Sequence, residues 1–456
     1  MKILLAVHYF FPDHFYGTET YTLEIARDLR SRGYEVEILS AMSPGETGGS
    51  GDLLHEYMYD DFKVYCFDYN HAPHATFRQL YYRPEMSRAY KELISKIEPD
   101  ILHVTHLMNH TAVLLDVAKD CGVPTVATLT DFFGICFNSR LEDFRGALCV
   151  GPQDSRRCLY CYMAAIGPEA VARFFRLGDW LSRKEPVRRM VVASLVGLSR
   201  LPVAWNREPL AVVQALTKRA GLLRGKYGVY QKLVAPTDFL YEMYAGNGFP
   251  VAKLIKINFG INWKVVEHFR SQRKYDPSRP LRFGYIGQIA AHKGVDMLIE
   301  AFRRANCLGR HELKIYGSTE SGSQYFEELS EAIKGDASIV FAGTFPQNEL
   351  GRRLSELDVL VIPSRWYENS PLVLLYALAT RTPTIVSDVK GMTEFVNDGV
   401  NGLTFTRGDL DSLAAALQRI IDNPEMIEEF SRQADYAKTV TDHVDEIATL
   451  YQDIAT

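Results

Sequence analysis

The chain predicts an α/β protein of two doubly wound domains, each built on a parallel sheet between layers of helices. Three observations carry that prediction. The N-terminal residues read strand, helix, strand. The C-terminal half repeats short apolar runs, several stopped by glycine, with helical stretches between them. At 456 residues the chain is also longer than one ordinary core encloses.

Hydrophobic residues make up 47% of the chain and charged residues 23%, the balance of a globular protein in water. The formal net charge of -5 carries no overall signature of nucleic-acid binding, and no such partner is expected. Met1 to Val7 begins like a signal peptide, but His8 interrupts the apolar run and FFPDHFYG follows without a small-residue cleavage site. It reads better as the first buried strand. No apolar span of about 20 residues occurs, so the expectation is a cytoplasmic protein without a transmembrane helix.

In the first half, Ile3 to Val7 forms the opening strand, His8 to Gly17 the loop, and TETYTLEIARDLRSRG a helix stopped at Gly33. Glu35 to Ser40 is the second strand, and the β-α-β unit fixes a parallel sheet. Gly17, with Thr18 after it, stands where the loop becomes helix, so the backbone there can approach a phosphate or sugar. The G-x-G-x-x-G pattern is absent, and a plain turn glycine is the alternative. The stretch DILHVTHL supplies core residues Ile101, Leu102 and Val104, with His103 and His106 as acceptor-side candidates at its end. Thr125 to Leu129 delivers Thr130 and Asp131 to the same sheet edge. Asp131 can accept a hydrogen bond from an acceptor hydroxyl, whereas Thr130 is no base at neutral pH.

Beyond Asp131 lie four cysteines spaced Cys136-x12-Cys149-x8-Cys158-x2-Cys161. Without a secretion signal such a cluster points to a structural metal, zinc by ligand type, or to free thiols more than to disulfides. Residues 165–228 then form a basic helical insertion, in which arginines and lysines alternate with apolar residues. It reads either as amphipathic helices able to lie on an anionic membrane surface, or as a helical insertion with a solvated basic face.

The first domain is expected over 1–260 and the second over 261–435, with 436–456 a C-terminal helix returning to the first. The second domain opens with YIGQIAAHKGVDMLIEAF: a strand, a turn at Gly287 and Gln288, and a helix with Lys293 in its first turn. Lysine beside a helix N-terminus and Gly294 makes a diphosphate site, because ammonium and free N–H groups act on one anion. A second strand-loop-helix passage is IPSRWYENSPLVLLYALAT. Ser370 is expected as N-cap and Pro371 as the first helical residue, aiming the helix start at Glu368 and Asn369. A carboxylate there can hold ligand hydroxyls while phosphate sits on the helix N-terminus. Two such domains are expected to form a cleft.

Together, FFPDHFYGTETYTLEIARDLRSRGYEVEIL, PDILHVTHL, TLTDFFGIC, YIGQIAAHKGVD, WYENSPLVLL and GMTEFVNDGVNGLTF resemble the retaining glycosyltransferases of family 4, which have the GT-B fold. The resemblance covers nearly the whole chain apart from the basic insertion. It implies a nucleotide-diphospho-sugar, of UDP or GDP type, on the second domain and a glycan or lipid-linked acceptor on the first. It further implies that Gly17 admits donor phosphate or sugar, that Lys293 binds the diphosphate, and that Glu368 holds the donor sugar. The backbone from Asn369 to Leu372 would complete the phosphate site. Catalysis in the family needs no metal cofactor. Three positions depart from the pattern: Tyr376 stands where the family has glutamate for the ribose, Gln288 replaces an arginine, and Thr130 replaces a histidine. Those departures keep open an alternative, a non-catalytic protein that binds a glycan or a partner enzyme.

Overall fold

The computed structural model describes residues 1–46, 51–72, 75–152, 154–175, 185–199, 210–305, 310–318 and 324–455. They divide into two compact units. The first comprises Met1–Pro236, Leu240–Lys256 and Glu446–Thr456; the second comprises Thr237–Phe239 and Ile257–Asp445.

In the first unit the strands are β1 (Lys2–Ala6), β2 (Glu35–Met42), β3 (Leu54–Tyr59), β4 (Phe62–Asp68), β5 (Ile101–Val104), β6 (Thr125–Thr128), β7 (Lys232–Ala235) and β8 (Leu254–Lys256). Their order across the sheet is β3-β4-β2-β1-β5-β6-β7-β8. β1 lies between β2 and β5, parallel to both. Ile3, Leu4 and Leu5 are fully buried, which is why its run is apolar without alternation. Among the eight strands β3 and β4 pair antiparallel, around Asp60 and Asp61, both with positive φ. That two-residue turn is the hairpin geometry that aspartate tolerates, and the sequence reading passed over it. Connections leave β1 toward β2 on one side, while β5 flanks the other. The loops after β1 and β5 therefore emerge side by side where the strand order reverses, the usual ligand position in open sheets.

The three helices Ser155–Phe175, Glu185–Leu198 and Leu210–Tyr227 belong to this unit. They share a core of Leu159, Met163, Val192, Val196, Val212, Val213 and Leu216. Much of the expected basic insertion, 176–184 and 200–209, lies outside the described residues. Two of its cations are not on a solvated face. Arg219 is buried, its guanidinium donating to the Phe133 carbonyl, and Lys226 donates to both Asp116 oxygens at 2.7 and 2.6 Å. Arg219 therefore stands apart from the solvated basic face that one reading of the insertion expects. Among the described residues no helix is long and apolar enough to cross a membrane.

The second unit holds β9 (Arg282–Ile286), β10 (Glu312–Tyr316), β11 (Ile339–Gly343), β12 (Val359–Ile362), β13 (Thr384–Ser387) and β14 (Gly402–Phe405). They run in the order β11-β10-β9-β12-β13-β14, every pairing parallel. Phe283, Leu298, Phe302, Ile385, Leu417 and Ile420 anchor its core. β9 and β12 are neighbours at the reversal of strand order, so the loops that follow them emerge together. The first unit's sheet ends at Lys256, and the long segment of the second unit starts at Ile257. Glu446–Thr456 groups with the first unit.

Candidate functional site

In the second unit, β9 ends at Ile286 and the chain turns through Ala291–Lys293 to Gly294, from which the helix Val295–Arg304 starts. Gly294 has φ +75°, and a Cβ there would lie 2.1 Å from the Pro363 carbonyl oxygen. Only glycine lets this turn close on the end of β12. Arg365 locks the two loops further: its N–H donates to the His292 carbonyl at 2.9 Å, and its guanidinium reaches Asp296 at 2.8 Å.

That closure brings Lys293 and Glu368 together, 75 residues apart in the chain. Lys293 Nζ donates to Glu368 Oε1 at 2.7 Å. The same oxygen accepts from Ser364 Oγ at 2.6 Å and from Trp366 Nε1 at 3.1 Å. Glu368 is buried. Burial pushes its carboxyl upward, but the Lys293 ammonium and these hydrogen bonds outweigh it, so the group lies below its ordinary value and is anionic at neutral pH. With three donors on Oε1, the carboxylate retains Oε2 as an acceptor for hydroxyls, and Lys293 retains two of its three N–H donors for an anion. Trp366 walls this side, with Lys293 Nζ 5.1 Å above its ring and the His292 ring 3.9 Å away.

Ser370 does not cap the following helix. It is buried with φ +55°, and its Oγ has no hydrogen-bond partner. Pro371 is the N-cap and the helix runs Leu372–Ala379, so both expected positions shift by one residue. The cause is the loop itself, which turns left-handed at Ser370 at a cost of about 1 kcal/mol, the kind of strain found at functional sites. Asn369 is half-buried in this loop, and Leu372 opens the helix. Gly287 and Gln288 follow β9; the Gln288 side chain is exposed while its carbonyl accepts from Tyr285 Oη at 2.7 Å. Tyr376 is buried, and its hydroxyl accepts from the Asn262 N–H at 3.0 Å.

The first unit gathers a second set at the ends of β1, β5 and β6. His106 Nε2 lies 3.0 Å from Asp131 Oδ2. Its Nδ1 accepts from the Met108 N–H at 3.1 Å, which places the ring proton on Nε2, facing the carboxylate. Burial raises the Asp131 carboxyl, but His106 and neighbouring hydrogen bonds bring it below its ordinary value. His8 stacks on His106 at 3.9 Å, and its Nε2 is 3.4 Å from Glu19 Oε1. Burial first, and then neighbouring histidines, drive His8 well below its ordinary value, so it is neutral; burial raises Glu19. Gly17 is exposed at the start of the helix Gly17–Ser31, with open space where a Cβ would stand. Thr18 lies half-buried beside it, its carbonyl accepting from Thr22 Oγ1 at 2.8 Å.

Two acceptor-side candidates are otherwise engaged. His103 is fully buried, with Nδ1 2.5 Å from Tyr451 Oη and Nε2 2.9 Å from Thr128 Oγ1, so it fastens the C-terminal helix and is corrected from a ligand contact to a structural one. Thr130 donates its hydroxyl to the Thr105 carbonyl at 2.6 Å. Conversely, Ser364, Trp366, His292, Gly391, His8 and Glu19 went unassigned in the sequence. Ser364 and Trp366 sat in the stretch already singled out, on either side of Arg365. Gly391 is the least legible: its φ is +86°, and a Cβ would lie 1.8 Å from the Glu368 carbonyl oxygen.

Each unit of the chain matches a known family. The family described as Glycosyl transferases group 1 matches residues 268–436, and that described as Glycosyltransferase Family 4 matches residues 15–141. The chain is 28% identical over 150 residues to the alpha-D-kanosaminyltransferase of Streptomyces kanamyceticus, covering 33% of this chain and 39% of that protein. It is 28% identical over 196 residues to the amylovoran biosynthesis glycosyltransferase AmsK of Erwinia amylovora, covering 41% and 47%. Each match thus spans less than half of the relative's length. The structure of HepE from Anabaena in complex with UDP and glucose superposes with a TM-score of 0.59 at 16% identity, over 99% of both chains, which shows the shared fold. With one family matched in each unit and two Rossmann-like sheets, the chain belongs to the group 1, family 4 type of glycosyltransferases and has the GT-B fold.

Proposed function

We propose that this protein transfers a sugar, with retention at the anomeric carbon, from a UDP- or GDP-linked donor to a hydroxyl of a glycan or lipid-linked acceptor in surface polysaccharide synthesis. The observation that carries the proposal is the Lys293–Glu368 pair at the reversal of strand order in the second unit. In this reading the donor diphosphate takes Lys293 and the N–H groups from Asn369 to Leu372. Glu368 accepts the donor sugar's hydroxyls. The acceptor oxygen bonds to the anomeric carbon on the face from which the diphosphate oxygen departs, and the acceptor proton passes to that departing oxygen. Asp131 and His106 orient the acceptor. Lysine and helix N-termini supply the neutralising charge, so no metal ion is asked to neutralise the diphosphate. A polysaccharide acceptor is supported by the naming of AmsK. The basic stretch within 165–228 supports peripheral attachment to an anionic membrane on the cytoplasmic side.

The test is a panel of UDP- and GDP-sugars, first by thermal shift and then by transfer to lipid-linked saccharides, with the product anomer assigned by NMR. Stabilisation by one nucleotide sugar and an axial or equatorial linkage matching the donor supports the proposal; an inverted product removes retention. Stabilisation by glycans with none by any nucleotide sugar would favour the non-catalytic reading, which the engagement of Tyr376 and Thr130 in internal hydrogen bonds also favours.

A further inference from the structure

The four clustered cysteines take no part in the proposed transfer, yet the fold brings them to one place. Between β6 and the helix Ser155–Phe175 the chain runs through residues 129–152 with almost no regular structure, far longer than ordinary connections. Three separately built pieces of it face one cavity of about 40 Å³, lined by Cys136, Cys149, Cys158 and Cys161. Cys136 closes the turn after Asp131, its N–H donating to the Phe132 carbonyl at 2.8 Å. Cys149 ends a small hairpin whose N–H returns to the Leu141 carbonyl at 2.7 Å. Asp143 organises the tip of that hairpin, accepting from the N–H groups of Arg145 and Ala147 at 2.9 and 3.0 Å. Cys158 and Cys161, one helical turn apart, come from the start of the helix.

The backbone around Cys149 is shaped to support its sulfur. The Gly151 N–H donates to Cys149 Sγ at 3.4 Å, and Gly151 has φ +119°. A Cβ there would lie 2.0 Å from Asn247 Oδ1, whose amide nitrogen holds the Val150 carbonyl at 2.9 Å. The same sulfur donates to the Gly151 carbonyl at 3.4 Å, so the turn holds the Cys149 side chain in place, and glycine is required for it here. All four cysteines are free thiols.

We propose that these four cysteines bind one structural zinc ion, or another thiophilic divalent cation, that staples the loop carrying Asp131. Tetrahedral zinc takes four thiolates at about 2.3 Å. Among the described residues no three His, Cys, Asp or Glu side chains are gathered closely enough to grip an ion. Binding therefore requires the thiols to turn about their Cα–Cβ bonds into the cavity that they line. The consequence reaches the first unit's site: Arg219 lines the same cavity and donates to the Phe133 carbonyl, two residues after Asp131.

The test is metal analysis by plasma mass spectrometry of full-length protein purified without chelator or nickel and kept reduced. About one zinc per chain is expected. Cys149→Ser and Cys161→Ser should each lower it at least about tenfold, while Cys121→Ser, outside the cluster, leaves it unchanged. Should the cluster variants fail to fold, wild-type protein answers alone. Cobalt loading should give the intense near-ultraviolet charge-transfer band of a tetrathiolate, and four thiols should resist a disulfide reagent until a chelator is added. Wild-type protein that holds no stoichiometric metal even after incubation with zinc salt, or whose thiols react equally fast with and without zinc, overturns the proposal.

Discussion

Glu368 illustrates how a single carboxylate is prepared by its surroundings. One oxygen is held by Lys293, Ser364 and Trp366, so rotation is blocked and the negative charge is fixed. Glu368→Gln leaves the shape but removes the charge, and transfer should fall at least about 100-fold with little change in melting temperature, measured by donor turnover and thermal shift. Gly391→Ala should do the reverse in kind, because its added carbon strikes the Glu368 backbone. A stability loss of about 2–4 kcal/mol in urea titration is expected, with loss of donor affinity. Tyr376→Phe removes one hydrogen bond to the Asn262 N–H and should cost about 1 kcal/mol while leaving transfer in place. Lys293 and Glu368 were legible in the sequence because each lies in a short run of strand, loop and helix start. Gly391 was not, since the approach that demands glycine is made by a carbonyl distant in sequence. The same reason hid His8: its partner His106 comes from the loop after β5, and a stacked pair leaves no spacing to read.

Among the elements, the parallel strands were the most legible. β1 from Ile3 onward and β12 are buried on both faces, so an unbroken apolar run marks them. The hairpin of β3 and β4 escaped because β3 is an edge strand whose residues alternate only weakly between half-buried and exposed. The helix beginning at Leu372 was placed one residue early, since proline fits both the N-cap and the first helical position and the strained Ser370 backbone carries no sequence mark. His103 was misjudged for a related reason. A histidine at the end of a strand looks available until the chain's last helix supplies Tyr451. Tyr451→Phe should therefore loosen the C-terminal helix, seen as faster amide exchange over residues 446–455, without changing donor affinity.

For the molecule as a whole, the buried histidines set the response to acid. Burial lowers His110 and His443 to about 4 in the folded state, against an ordinary value of 6.5. Above pH 6.5 both states hold these rings neutral and folding carries no penalty from them. As pH falls from 6.5 toward 4 the unfolded chain takes up protons that the folded chain refuses, so stability declines, by about 3 kcal/mol for each ring at most. Urea titration between pH 7.5 and 4.5 should show that loss, with His110→Asn flattening its share. The central claim, that the second unit holds a nucleotide-sugar through Lys293 and Glu368, meets its most direct test in calorimetric titration of the full chain with UDP- and GDP-sugars. The account predicts saturable binding of one donor class in the presence of chelator, weakened at least about tenfold by Lys293→Ala and by Glu368→Gln in folded protein. Binding that is equal in wild type and both variants would contradict it.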